Sequence, residues 1–165
     1  MSGGGVIGIV GGAPLTPGEA AVFMSCSTKV VLNDHFPDRV EPDFVFRNRT
    51  KLVQERIGQK RPLFDPKKIL DISHVEIPGM NALLGVKALC FILSGQGRAH
   101  YLGDGTKDLI YLCGCDLYQG FPEDDPNIKS HDMRKNAECF AGIRSAFDNV
   151  IFAPKLARRL EEVLG

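Results

Sequence analysis

A short apolar run that leads through a glycine turn into a helix start constrains this fold more than any other stretch. Val6–Val10 is apolar and rich in β-branched residues, which predicts a strand buried on both faces. Gly11 and Gly12 follow, and glycine lets the backbone turn sharply and approach a ligand because it has no Cβ. Thr16 and Glu19 have the spacing of a capping box, with a proline at the first helical position.

This order of strand, turn and helix predicts an anion-binding corner, because free N–H groups and the positive end of the helix dipole meet there. The residues of the turn, which we call the glycine corner, are Gly11, Gly12, Ala13 and Pro14. Their sequence matches neither the dinucleotide-binding G-x-G-x-x-G nor the Walker G-x-x-x-x-G-K-[ST] motif. A tight strand-to-helix turn without a ligand is the alternative interpretation.

Length and charge narrow the class of protein. A chain of 165 residues is long enough for one domain with a substantial core, so we expect a single domain over residues 1–165. Its 20 basic and 20 acidic residues cancel, which argues against nucleic acid as a partner. Neither an apolar run of about 20 residues nor a signal peptide is apparent. We therefore expect a cytoplasmic protein.

The cysteine pattern favours reduced thiols over a disulfide framework. The chain has five cysteines: Cys26, Cys90, Cys113, Cys115 and Cys139. Their number is odd and their spacing irregular, which is typical of buried thiols in a cytosolic protein. Cys113 and Cys115 could form a metal or redox pair, but no second pair accompanies them. Strand alternation predicts that these two thiols point to the same face.

Short apolar strands alternate with helices along the rest of the chain. Further strands are predicted over residues 29–33, 43–47, 69–72, 108–113 and 150–152. Helices are predicted over residues 17–26, 51–57 and 132–147, in a long buried stretch opened by Pro78 and Gly79, and from Pro154 onward. This alternation predicts an α/β fold, namely a three-layer Rossmann-like open, mainly parallel sheet with helices on both faces.

Glycine-containing turns or polar residues follow several of these strands. They are the glycine corner, Asn33, Asn48 and residues 116–118. Because crossovers between parallel strands are right-handed, all carboxyl ends of the strands should lie at one edge of the sheet. Ligands of such sheets bind at that edge, near the switch point of the strand order. We therefore expect these residues to converge.

Together, these segments resemble the bacterial sialyltransferases built on a single Rossmann-type sheet. The order of the resembling elements covers nearly the whole chain, and residues 110–118, Ile-Tyr-Leu-x-Gly-x-Asp-Leu-Tyr, are the most specific. The other elements are Gly12-Ala13-Pro14, Asn33, Asn48, Pro78-Gly79 before the buried helix, and His131 before the penultimate helix.

The resemblance implies a nucleotide-sugar donor, with CMP-linked sugars favoured, and a glycan or small hydroxyl acceptor. The implied binding residues are Gly11, Gly12, Ala13, Pro14, Asn33, Asn48, Gly79 and Asp116. The amides of Asn33 and Asn48 would hydrogen-bond the nucleotide. Tyr118 would donate its phenol to the leaving phosphate. His131 would be the general base that takes the proton of the acceptor hydroxyl, which suits an imidazole at neutral pH. An acceptor carried on a lipid would bring the protein to a membrane surface.

Three departures from the family pattern stand out. The chain is shorter than the usual catalytic domain, Ile77 and Pro78 replace a Thr-Ser pair, and residues 119–132 contain no second phosphate-contacting tyrosine. The resemblance implies no metal, although Asp124 and Asp125 could hold a divalent cation. Two alternatives stay open: a pterin pyrophosphokinase-like transferase that uses ATP and magnesium, and a non-catalytic nucleotide- or sugar-binding domain.

Overall fold

Six parallel strands form one open sheet in the computed structural model, which describes residues 5–33, 41–48, 66–97, 102, 108–117 and 132–165. The strands are β1 (Val6–Val10), β2 (Thr28–Leu32), β3 (Phe44–Arg47), β4 (Ile69–Asp71), β5 (Leu109–Cys113) and β6 (Val150–Phe152). Their order across the sheet is β4-β3-β2-β1-β5-β6, and every neighbouring pair is parallel. The predicted α/β fold with a mainly parallel open sheet is thereby confirmed.

Four α-helices accompany the strands in the described part of the chain. They are α1 (Pro17–Ser25), α2 (Leu84–Leu93), α3 (Met133–Ala146) and α4 (Pro154–Leu164). The helix predicted over residues 51–57 lies outside the described residues. In the ranges that are described, no helix is long and apolar enough to cross a membrane.

The strand order reverses once, between β1 and β5. Strands β2, β3 and β4 follow β1 in one direction, whereas the chain then returns to place β5 and β6 on the other side. Such a reversal is the switch point at which open α/β sheets bind ligands, beyond the carboxyl ends of the strands. The glycine corner directly follows β1 and therefore lies at this point.

The two faces of the sheet are buried by different helices. Alternation along β1 sends Ile7 and Ile9 into a large apolar cluster with residues of α2, α3 and α4. Val10 points the other way, into a smaller cluster with Phe23 of α1 and Tyr111 of β5. Helices therefore cover both faces, as the near-continuous apolar strands predicted.

Helix α1 begins as the sequence predicts. The Glu19 backbone N–H donates to the Thr16 hydroxyl at 3.2 Å, and the Thr16 N–H donates to a Glu19 carboxylate oxygen at 3.0 Å. These reciprocal bonds satisfy two donors that a bare helix end would leave open. The predicted capping box is confirmed.

The predicted start of the buried helix is wrong. Helix α2 begins at Leu84, and Gly79 lies in a preceding turn with φ of +79°. The intervening segment is held by α3, because the Leu83 N–H donates to the Asn136 side-chain oxygen at 2.8 Å. The Asn136 amide group in turn donates to the carbonyls of Asn81 at 3.3 Å and Asp132 at 2.8 Å.

We predict that Asn136→Leu lowers the free energy of unfolding by about 2–3 kcal/mol. The substitution leaves the Leu83 N–H and the Asn81 carbonyl without their partner, and unsatisfied groups of this kind are costly. Urea unfolding followed by circular dichroism measures the change. Ser145→Leu, which adds the same side chain at an exposed position of α3, is the matched control and should change stability little. Equal losses in the two variants would contradict this role of Asn136.

Candidate functional site

Residues that follow four adjacent strands lie at the carboxyl edge of the sheet. The glycine corner follows β1, Asn33 follows β2, Asn48 follows β3 and Asp116 lies beyond β5. These strands are consecutive in the order β3-β2-β1-β5, with the switch point between the last two. The topology thus brings sequence-distant residues to one edge, although it does not make all of them equally accessible.

The glycine corner and the segment after β5 touch backbone to backbone. The Gly11 N–H donates to the Cys113 carbonyl and the Ala13 N–H donates to the Gly114 carbonyl, both at 2.9 Å. A Cβ on Gly11 would lie 2.5 Å from the Gly114 carbonyl oxygen. Gly114 itself has φ of +67°, which favours glycine. The buried Gly11 is therefore required by the packing of two loops, whereas Gly12 and Pro14 are the exposed residues of the corner.

The thiol of Cys115 fills the space behind this contact. A Cβ on Gly11 would meet the Cys115 sulfur at 2.8 Å, and one on Gly85 of α2 would meet it at 3.2 Å. Burial, with a smaller contribution from Asp116, raises the pKa of Cys115 to about 12, so this thiol is protonated at neutral pH. Gly85, rather than Gly79, is the glycine at the start of the buried helix, and the sequence analysis missed it.

The thiols of Cys113, the last residue of β5, and of Cys115 do not lie on the same face of the sheet. Cys113 belongs to the cluster under α1, whereas Cys115 packs against the cluster on the opposite face of the sheet. The prediction of a common face is wrong because Gly114, in a left-handed conformation, interrupts strand alternation. All five cysteines are free, and three of them are only partly buried.

Asn33 and Asn48 end adjacent strands in different ways. Asn33 has φ of +56°, which asparagine tolerates better than most residues, and its N–H donates to the Phe46 carbonyl at 2.8 Å. It is therefore a turn residue. Its side-chain oxygen is nevertheless buried and accepts no hydrogen bond from the residues that the structure describes. Asn48 is half-buried directly beyond β3.

A carboxylate of the protein itself occupies the helix N-terminus that we predicted to bind an anion. Glu19, only 2% exposed, accepts from the Thr16 N–H with one oxygen and from the Lys155 N–H of α4 with the other, at 3.1 Å. The Glu19 N–H is already bonded to Thr16, and Pro17 has no N–H. Helix α1 therefore offers an external anion far less than an uncapped helix would.

Asp116 is a second buried acidic residue at the switch point, also 2% exposed. One of its carboxyl oxygens is buried and accepts no hydrogen bond within the described ranges of the chain. Burial raises the pKa of Asp116, while the nearby cations of Lys155 and Arg159 act in the opposite direction. Because Asp116 is buried, it would affect the binding of a ligand only through the residues around it.

Lys155 is a site residue that the sequence analysis missed. Its ammonium donates to the Pro14 carbonyl at 2.7 Å and thereby fastens α4 to the glycine corner. The sequence contained a signal for it. A lysine in the first turn of a helix opposes the helix dipole, so a compensating local contact is expected. Gly79 precedes α2, and its carbonyl accepts a hydrogen bond from the Lys135 ammonium in the first turn of α3 at 3.3 Å.

The residues predicted for catalysis, Tyr118 and His131, lie outside the described residues, as do Asp124 and Asp125. The described residues next to Tyr118 and His131 have an unusual backbone conformation or a capping role. Leu117 is buried with φ of +55°, which is uncommon for a bulky side chain. Asp132 caps α3 by accepting from the Lys135 N–H at 3.0 Å. In the part of the chain that the structure covers, no group of three or more acidic, histidine or cysteine side chains could hold a metal ion.

Comparisons with models of protein families, with curated proteins and with solved structures give no match to this chain. The resemblance to the bacterial sialyltransferases therefore rests on motifs in the sequence. The functional interpretation rests on those motifs and on the geometry of the carboxyl edge.

We predict that Gly114→Ala lowers the free energy of unfolding by about 2 kcal/mol or more. The new Cβ would lie 2.6 Å from the Gly11 carbonyl oxygen at a residue with φ of +67°, so both overpacking and backbone strain contribute. Gly142→Ala is the control, because an added Cβ there meets nothing within 4 Å and α3 gains about 0.5–1 kcal/mol. Chemical denaturation of both variants measures the difference, and a Gly114→Ala protein as stable as the parent would refute the packing role.

We predict that Asp116→Asn stabilises the protein at neutral pH. Folding raises the pKa of Asp116 above its ordinary value of 3.8, so the free energy of unfolding falls as the pH rises between the unfolded and folded values. The cost is complete above the folded value and disappears below the ordinary value. Denaturant unfolding at pH 7 and near pH 3.5 should therefore show an advantage of the variant that shrinks with acidity. The exposed Asp148→Asn is the control, and a destabilised Asp116→Asn at pH 7 would contradict the prediction.

Proposed function

We propose that this chain is a glycosyltransferase-like protein of the sialyltransferase type, which transfers a sugar from a CMP-linked donor to a glycan hydroxyl. The observation that carries the proposal is the arrangement of the resembling motifs. They follow β1, β2, β3 and β5, four adjacent parallel strands, and so they flank one switch point. Ligands of open parallel sheets bind beside such a switch point, which is where these motifs lie.

The binding roles in this proposal fall on the accessible residues of the edge. Gly12 is exposed, and it allows close approach of a ligand to the backbone. Asn33 is half-buried, and its side-chain oxygen accepts no hydrogen bond from the described residues, so it would pair with the N–H and O–H donors of a nucleotide base or ribose. Asn48, half-buried beyond the next strand, would bind a further part of the same nucleotide. Gly11, Ala13 and Asp116 are buried and would shape this surface rather than contact the donor.

The proposed reaction is a displacement at the anomeric carbon of the donor sugar. The acceptor oxygen forms the new bond to that carbon as the bond to the phosphate oxygen breaks, and CMP leaves. His131 takes the proton from the acceptor hydroxyl, and Tyr118 donates a hydrogen bond to the phosphate as negative charge develops. The described backbone on either side of the two residues, Leu117 after β5 and Asp132 at the start of α3, supports their assignment to the carboxyl edge.

Nucleotide binding is the direct test. We predict that CMP at about 100 times its dissociation constant raises the melting temperature by about 5 °C, because a ligand of the native state stabilises it. Asn33→Gly should abolish most of this shift. Glycine retains the left-handed backbone of residue 33 and removes only the amide side chain, so the variant separates binding from folding. Asn81→Gly, the same substitution at an exposed residue before α2, provides the control.

The alternatives predict other results in the same assay. ATP with magnesium, but not CMP, would stabilise a pterin pyrophosphokinase-like enzyme. CMP would stabilise a non-catalytic binding domain, but hydrolysis of a CMP-sugar would be absent. Hydrolysis that disappears in His131→Ala, with the CMP-induced shift retained, is the result expected of the transferase. The absence of a shift with every cytidine nucleotide would contradict the proposal.

A further inference from the structure

Lys155 is the residue of α4 that contacts the glycine corner. It is half-buried in the first turn of the helix, and its ammonium donates to the Pro14 carbonyl at 2.7 Å. Its backbone N–H donates to the buried carboxylate of Glu19 at 3.1 Å. Two independent hydrogen bonds therefore fix the start of α4 beside the corner, and the side chain is oriented toward the loop rather than away from it.

The ammonium of Lys155 has N–H donors that the described residues do not engage. An ammonium has three N–H donors, and one of them is engaged by Pro14. No carboxylate among the described residues lies within 4 Å to form an ion pair with it, although Asp116 is close enough for the two charges to interact. A cation in the first turn of a helix opposes the helix dipole. A residue that is unfavourable for its local secondary structure in this way is typical of a functional position.

Backbone N–H groups of Thr16, Glu19 and Lys155 at the corner are already engaged. The N-terminus of α1 is capped by Thr16 and Glu19, and Glu19 also occupies the Lys155 N–H of α4. The carbonyl of Pro14 that Lys155 contacts is two residues from the exposed Gly12. An anionic group that approaches Gly12 therefore meets the side chain of Lys155 as the nearby source of positive charge.

We propose that Lys155 binds the phosphate of a nucleotide held at the glycine corner, and thereby distinguishes a nucleotide from its uncharged nucleoside. This proposal rests on the proposed function, because it assigns one contact within the same site. The ligand class is a cytidine nucleotide with its phosphate ionised. The unused donors of Lys155 satisfy phosphate oxygens, and Gly12 lets the phosphate come close to the backbone.

Calorimetric titration of the full chain with CMP and with cytidine tests the proposal. Lys155→Gln removes the charge and keeps an N–H donor for the Pro14 carbonyl, so the corner retains its fastening. We predict that this variant binds CMP at least about tenfold more weakly than the parent, while its affinity for cytidine stays the same. Lys155→Arg should restore most of the affinity for CMP. Arg158→Gln, a neutralised exposed residue of the same helix, should bind both ligands as the parent does.

The outcomes distinguish the two proposals. If the parent binds CMP and Lys155→Gln binds it equally well, the role of Lys155 is wrong and the proposed function stands. If Lys155→Gln loses CMP and cytidine alike, Lys155 supports the loop and does not recognise the phosphate, which also overturns the inference. If the parent binds no cytidine nucleotide, the proposed function fails, and the inference fails with it. Circular dichroism and melting of each variant confirm that the folded protein is compared.

Discussion

The contact between Gly11 and Gly114 is the constraint on which the candidate site depends. Gly11 directly follows β1 and Gly114 directly follows β5, at the switch point. Their backbones approach so closely that a side chain on either glycine would collide with the other. Hydrogen bonds from the N–H groups of Gly11 and Ala13 lock the approach. The Cys115 thiol packs behind it and reaches Gly85 of α2. This contact at the switch point is thus made of backbone with one protonated thiol behind it, and the residues predicted to bind a ligand follow the neighbouring strands.

Electrostatics at this edge follow from carboxylates that the protein buries. Glu19 joins the starts of α1 and α4 through one side chain, so it stabilises the junction of two helices and also occupies their positive ends. Asp116 is buried beside the cations of Lys155 and Arg159. The fold thereby uses the usual anion-binding features of a βα corner for its own assembly. In the proposed site, recognition of a phosphate would then depend on a side chain, and Lys155 lies beside the corner where it would be needed.

Much of the fold was predictable because local signals agreed with the global packing. The apolar strands, the capping box of Thr16 and Glu19, and the helix before Val150–Phe152 follow from periodicity and punctuation. The start of α2 was not predictable, because the N–H of Leu83 is held by Asn136, which is 53 residues away. The separation of the two thiols depended on a left-handed Gly114. In the candidate site, the segments at strand ends could be named from the sequence, whereas the first-turn position of Lys155 is unusual in sequence but only the packing of α4 against Pro14 connects it with the site.

The most direct test of a ligand site at the carboxyl edge is an amide chemical-shift titration of the ¹⁵N-labelled chain with CMP. Gly12 and Asn33 report on that edge, and Val6 and Asn149 report on the opposite ends of the strands. We predict saturable shifts of the first two amides at a common dissociation constant, with the second two unchanged. Shifts confined to Val6 and Asn149, or no saturable shift at any of these amides, would contradict a cytidine nucleotide site beside the glycine corner.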